Sequence, residues 1–250
     1  MTFKIETKSV AEWKIVVDFL TKLVTKATFN VTSEGISLRA MDASHVAMAD
    51  LTMPSSAFEK FECDEGQKFT ISLDTFGKAL NRAGNSDGCT LYSNSTKSLT
   101  MSLAGSYSRE YSLALESDDI DLKNKMDFEW NAKSSMKSYT FDNVINDVGA
   151  VSDTVTIQSR EGNLEFLGKN NSAGNKVIAI LDSANAGVDT MTLQSDFKVV
   201  FSLKYLQDIM SVGKETDMIW LDLEAEKPMR IGFKIGLHST LDFFLAPRAG

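Results

Sequence analysis

The feature that most constrains this chain is that it repeats itself. At a spacing of 130 residues, Phe76 falls on Leu206, Ala79 on Ile209 and Leu80 on Met210. The same spacing carries Leu91 onto Leu221, Leu99 onto Met229, Met101 onto Ile231 and Leu103 onto Phe233. It also carries Tyr111, Leu113 and Leu115 onto Leu241, Phe243 and Leu245. Nearer the start of each copy the spacing is 128, with Trp13 on Phe141, Val16 on Val144, Val17 on Ile145 and Leu20 on Val148. A two-residue insertion reconciles the two blocks. A period this long means two copies of one folding unit, each large enough to bury its own core.

Each copy mixes two kinds of apolar spacing. Phe69, Ile71 and Leu73 alternate with Lys68, Thr70 and Ser72, and Met229, Ile231, Phe233 and Ile235 alternate with Arg230, Gly232 and Lys234. Period two describes strands with one buried face, the habit of antiparallel meanders. Four segments switch to the helical period. Trp13, Val16, Val17, Leu20 and Val24 form the first; Phe76, Ala79, Leu80 and Ala83 the second, with Asp74 as N-cap and Gly84 as stop. Phe141, Val144, Ile145 and Val148, closed by Gly149, form the third, and Leu206, Ile209, Met210 and Gly213 the fourth. The expected class is α+β, with antiparallel sheets and two helices per copy. The seam, Glu116–Met126, is rich in Asp, Glu and Lys, with Ile120 and Leu122 isolated among charges. It reads as a solvated linker that touches something along one edge.

Charge and composition exclude several functions. The formal net charge is −8, from 26 Lys and Arg against 34 Asp and Glu, which argues against holding nucleic acid or anionic membrane by bulk attraction. No run approaches the roughly 18–20 apolar residues needed to span a bilayer. Lys4, Glu6, Lys8 and Glu12 leave no apolar stretch for a secretory signal. Cys63 and Cys89 read as thiols of a reduced intracellular protein, with a single disulfide left open. Two distant cysteines and two distant histidines make no zinc site. Gly84, Gly88 and Gly105 lack the spacing of a phosphate loop. His45 lies beside Asp42 and Ser44 on one short loop, whereas a catalytic triad needs partners converging from separate elements. His238 reads as a surface or turn histidine. No catalytic residue, metal or cofactor is expected.

Two end motifs carry a resemblance. Gly35–Met53 reads GISLRAMDASHVAMADLTM and Asp242–Gly250 reads DFFLAPRAG, and between them the stretch EKPMRIGFK, Glu226–Lys234, holds one proline. Together with the repeat and the acidic linker, these resemble the sliding DNA clamp family of proliferating cell nuclear antigen (PCNA) over essentially the whole chain. The short C-terminus is more similar to archaeal than to eukaryotic members. The resemblance implies two clamp domains, 1–116 and 128–250, joined by a linker at 117–127. It implies a ring closed by antiparallel pairing of strand edges between subunits, with helices lining the hole. The function implied is that of a non-enzymatic processivity factor, which encircles double-stranded DNA and tethers its polymerase. The implied partners are sibling copies or related subunits in a trimer, a clamp loader, DNA polymerase, flap endonuclease and DNA ligase, with no membrane. The implied location is the archaeal nucleoid in the cytoplasm, or the nucleus in a eukaryote. A specialised subunit of a heterotrimeric or checkpoint-type clamp is the alternative.

The same resemblance implies three sets of residues. Lys14, Lys22, Lys78, Arg82, Lys204 and Lys214 would face DNA, although the same charges also suit a solvated helix face. The third helix departs from this habit, since its polar face carries Asp142, Asn143, Asn146 and Asp147. Met41, His45, Val46, Met48, Ile120, Leu122, Pro228, Phe244, Leu245, Ala246 and Pro247 would line a pocket for partner peptides, with core packing the competing reading of Met41 and Met48. Tyr111 and Leu113 in one edge, and Val177, Ile178 and Ile180 in the other, would join subunits. Val177–Leu181 is apolar on both faces, as a covered strand or an ordinary internal strand would be.

Overall fold

The computed structural model describes residues 3–248 except 64, 94, 96, 118–121, 123–127 and 171. The chain divides into two compact units, 1–124 with 234–241 and 125–233 with 242–250. The first half runs β1 (Phe3–Thr7), α1 (Ala11–Thr21), β2 (Lys26–Thr32), β3 (Gly35–Met41), β4 (Ala47–Pro54), β5 (Lys60–Cys63), β6 (Gln67–Ser72), α2 (Leu73–Leu80), β7 (Gly88–Ser93), β8 (Ser98–Ala104) and β9 (Ser108–Ala114). The second runs β10 (Ala132–Lys137), α3 (Ser138–Gly149), β11 (Thr154–Arg160), β12 (Asn163–Asn170), β13 (Asn175–Leu181), β14 (Val188–Leu193), β15 (Lys198–Ser202), α4 (Leu203–Gly213), β16 (Met218–Leu223), β17 (Met229–Ile235) and β18 (Ser239–Leu245).

The sheets repeat strand for strand. The run β5-β1-β7-β8-β9 in the first half is matched by β14-β10-β16-β17-β18 in the second, and β4-β3-β2-β6 is matched by β13-β12-β11-β15. Neighbours pair antiparallel, for example Leu91 with Met101 between β7 and β8, and Leu221 with Ile231 between β16 and β17. These are the residues that the 130-residue spacing superimposes.

The helices bury the stripes that their spacing dictates. Trp13, Val16, Val17 and Leu20 of α1 are each 0% exposed. Around Trp13 stand Phe29 and Phe76, with ring centroids 6.0 and 5.8 Å away in edge-to-face geometry, the arrangement the aromatic quadrupole favours. Phe69 stacks on Phe29 at 5.1 Å. In the second unit Phe141 of α3 meets Phe166 at 6.1 Å. A Cβ at Gly77 would lie 3.4 Å from Val17, and one at Gly149 would overlap Gln207. The first distance is an ordinary packing contact and the second involves only the far end of the Gln207 side chain, so both glycines sit where their helix meets its partner without a close backbone approach.

Three terminus expectations are corrected. Helix α1 ends at Thr21, so Val24 lies outside it. The N-cap of α2 is Ser72, not Asp74: Ser72 has extended backbone, and its hydroxyl accepts from the Thr75 N–H. Asp74 sits in the first turn, where its charge suits the helix dipole. Helix α2 stops at Leu80, ahead of Gly84. Gly84 instead forms a turn with Asp87, accepting from the Asp87 N–H at 3.0 Å and donating to the Asp87 carboxylate at 3.1 Å.

Candidate nucleic-acid and partner interfaces

The strand edges come first, because an unpaired edge is a template for another chain. Strand β9 ends the five-stranded sheet and β13 ends a four-stranded one. Among the described residues β13 pairs with β12 alone, so it is not an internal strand. Its Ile178 and Ile180 are 44% and 51% exposed, while Leu181 turns inward. Such aliphatic exposure on an edge is uncommon in a strand that meets only water. Strand β9 is different in character, with Ser108, Glu110 and Ser112 exposed, Tyr111 half-buried and Leu113 buried. Leu113 therefore packs into its own unit and offers a partner only its backbone.

The helix cations do not behave alike. Lys14 is half-buried, its Nζ donating to Ala83 O at 2.7 Å and to Asn85 Oδ1 at 3.0 Å. Lys78 pairs with Asp74 at 2.8 Å one turn earlier, so the pair presents no net charge. Lys22, Arg82, Lys204 and Lys214 are exposed and have no ion pair among the described residues. On α3, Asn143, Asn146 and Asp147 are exposed and Asp142 is half-buried, an acidic face.

The peptide-pocket residues fall into two groups, one in each unit. In the first unit, Asp42 shapes the loop after β3. Its carboxylate accepts from the N–H groups of Ser44, Val46 and Ala47 at 3.2, 2.8 and 2.7 Å. His45 is pushed outward with φ at 56°. These backbone bonds give the Asp42–Ser44–His45 cluster a structural role in shaping the loop. Met41 lines a hollow of about 390 Å³ with Leu23 and Val24. Val46 is half-buried, but Met48 is 3% exposed and belongs to the core, because β4 is buried on both faces over Ala47–Ala49. Leu122 is half-buried; Ile120 and, apart from Ser117 and Leu122, the rest of the expected linker lie outside the described residues.

In the second unit Pro228, Ala246 and Pro247 are half-buried. Leu245 is 0% exposed and is core, a second correction, while Phe244 is 6% exposed. Phe244 stacks with Trp130 at 6.3 Å, and the Trp130 indole N–H donates to Pro228 O at 2.9 Å. Phe128 meets Trp130 at 5.8 Å. The Arg230 guanidinium lies over the same indole at 5.5 Å and pairs with Asp222 at 2.9 Å. Burial pushes the Asp222 carboxyl above its usual range, against the opposing pull of Arg230 and Lys133.

The two halves of the chain match two family models. Residues 2–126 match the N-terminal domain of proliferating cell nuclear antigen, and 125–248 match its C-terminal domain. The chain belongs to the proliferating cell nuclear antigen family. It is 34% identical over 249 residues to the DNA polymerase sliding clamp of Nitrosopumilus maritimus and 32% identical to that of Cenarchaeum symbiosum, with 99% of each chain covered in both comparisons. The fold is similar to the crystal structure of PCNA from Thermococcus kodakaraensis, with TM-score 0.92 at 23% identity over 98% of this chain and 100% of the other.

Within this PCNA-family chain, sequence reading did not name Trp130, around which Phe128, Pro228, Arg230 and Phe244 gather. A large aromatic directly after a charged linker was the available signal. Among the described residues, no three His, Cys, Asp or Glu side chains converge to hold a metal ion. Both cysteines are free thiols, which closes the disulfide alternative. Cys89 is buried, and that burial pushes its pKa up to about 12. No helix among the described residues is long and apolar enough to cross a membrane.

Proposed function

We propose that this chain is a subunit of a sliding DNA clamp that encircles duplex DNA and tethers a DNA polymerase to it. The observation that carries the reading is the pair of unlike edges, polar β9 and aliphatic β13. Unlike edges join head to tail, and head-to-tail contacts close into rings when the rotation allows. Family membership and relatives named DNA polymerase sliding clamps support the same conclusion.

On this reading Lys22, Arg82, Lys204 and Lys214 approach phosphates through the hole. Phosphate contacts position a protein without reading sequence, which lets it slide. Lys14 and Lys78 contribute less, because each already has a partner within the chain. Met41, His45 and Val46, with Leu122, Pro228, Phe244, Ala246 and Pro247, receive short apolar peptides of client enzymes. The clients in view are polymerase, flap endonuclease and ligase, and a clamp loader opens the ring. Met and Pro suit a surface that accepts varied anchors. We assign the domains as 1–116 and 128–250 with the linker 117–127, no catalytic role, and a place on archaeal chromosomal DNA.

A second reading, a specialised subunit of a mixed ring, is favoured by the acidic face of α3, which a duplex would repel. Sedimentation equilibrium separates the two. A homotrimer of this 27.5 kDa chain supports the first reading. A trimer that forms only with related subunits supports the second. A strict monomer in both settings overturns the ring.

A further inference from the structure

Asp87 is the meeting point of four segments in the first unit. Its backbone O accepts from the N–H of Val10 at the start of α1, at 3.0 Å. Its carboxylate accepts from Gly84 N–H at 3.1 Å and from Arg109 Nη2 at 2.6 Å. A Cβ at Gly105 would overlap that carboxylate, and one at Gly84 would lie 3.2 Å from it. Two glycines therefore leave the space that Asp87 fills. The ion pair is well shielded, with side-chain exposures of 16% for Arg109 and 15% for Asp87. Arg109 belongs to the edge strand β9, opposite Leu103 of β8. The guanidinium also lies 4.5 Å from the ring centroid of Tyr107, which is 61% exposed.

Arg109 links the shielded Asp87 carboxylate to Tyr107, a large aromatic left in water next to a strand that, among the described residues, ends its sheet. A shielded Arg–carboxylate pair holds its geometry well, and a cation over a ring fixes the ring in turn. An aromatic anchor held rigid in advance loses little entropy on docking, and such anchors dominate interface energies.

We propose that Asp87 and Arg109 act as positioning residues that hold Tyr107 and the start of β9 in place, and that Tyr107 is an anchor for a second clamp subunit. The occupant follows from continuity, because Tyr107 directly precedes Ser108, the first residue of the β9 edge. The inference rests on the ring reading above.

The test uses the full chain in sedimentation equilibrium, alongside thermal unfolding followed by circular dichroism. Tyr107→Ala is expected to raise the subunit dissociation constant at least about tenfold, as loss of an aromatic anchor does, with the unfolding midpoint of the dissociated chain unchanged. Arg109→Met is expected to weaken association as well. The double variant Arg109→Met/Tyr107→Ala should be no weaker than Tyr107→Ala alone, because the arginine acts through the ring. A Tyr107→Ala chain that associates like the parent overturns this inference and leaves the ring reading standing. Additive losses in the double variant overturn the positioning role of Arg109. A parent chain that stays monomeric, alone and with related subunits, overturns the ring reading and this inference with it.

Discussion

The two halves of the molecule share a plan and differ in what they show to solvent. Strand order, helix placement and most buried apolar positions agree, from Leu91 and Leu221 to Val17 and Ile145, whereas Tyr111 and Leu115 are half-buried where Leu241 and Leu245 are core. The exposed faces have diverged. Helix α1 carries the half-buried Lys14 and is followed by the exposed Lys22, whereas its counterpart α3 presents Asn143, Asn146 and Asp147. Strand β9 is a polar edge, whereas β13 exposes Ile178 and Ile180. The interior constrains a duplicated unit tightly because a close-packed core registers each methylene. The surface is free to specialise: the first half leaves the polar edge β9 and the second the aliphatic edge β13.

The comparison can be broken at several levels. The largest effect belongs to the cores. Phe76→Ala should cost about 3–5 kcal/mol and its counterpart Leu206→Ala about 2–5 kcal/mol, both read from urea unfolding. A negligible loss at either position would mean that the copies do not share a buried plan. Next come the edges. Ile178→Ser with Ile180→Ser should abolish association at concentrations where the parent associates, with no loss of stability in the dissociated chain. The substitution Glu110→Ser on β9 should change association far less. Equal effects would erase the distinction between the edges.

The helix faces come third. Replacing Lys22 and Arg82 by Met should reduce the slope of log affinity against log salt by about 2. Replacing Lys14 and Lys78 should reduce it less, because their charges are already engaged. Fluorescence anisotropy with a duplex oligonucleotide across a salt series would distinguish the pairs. The smallest effect separates two helix starts. Ser72 caps α2 through the Thr75 N–H, whereas Ser202 makes no such bond at α4. Ser72→Ala should therefore cost about 1 kcal/mol and Ser202→Ala close to nothing. Equal losses would show that the two starts are capped alike.

Much of the fold was legible in the sequence because apolar spacing reports burial directly. The stripe Trp13–Leu20 and the alternation Met229–Ile235 are both seen as expected. Helix ends were less legible. Asp74 is chemically as good a cap as Ser72, and only the backbone angle at Ser72 decides between them. The surface sites were legible in kind but not in exposure. Met48 and Leu245 are buried, and their apolar character alone does not separate a core position from the lining of a surface hollow. Lys14 looked free because its acceptors, Ala83 and Asn85, are some 70 residues away in sequence. Trp130 carried no periodic signal at all, since it precedes its strand.

The central proposal is topological: that this chain holds DNA by enclosing it, not by attraction. Its net charge of −8 suits that proposal, because an acidic body with a few exposed helix cations would not grip a duplex by bulk attraction. The most direct measurement loads the protein onto a nicked circular plasmid with its clamp loader, washes at high salt, and then cuts the plasmid once. Retention on the circle followed by release on linearisation is the predicted result. Loss from the intact circle at high salt, or retention after cutting with free ends, would contradict it.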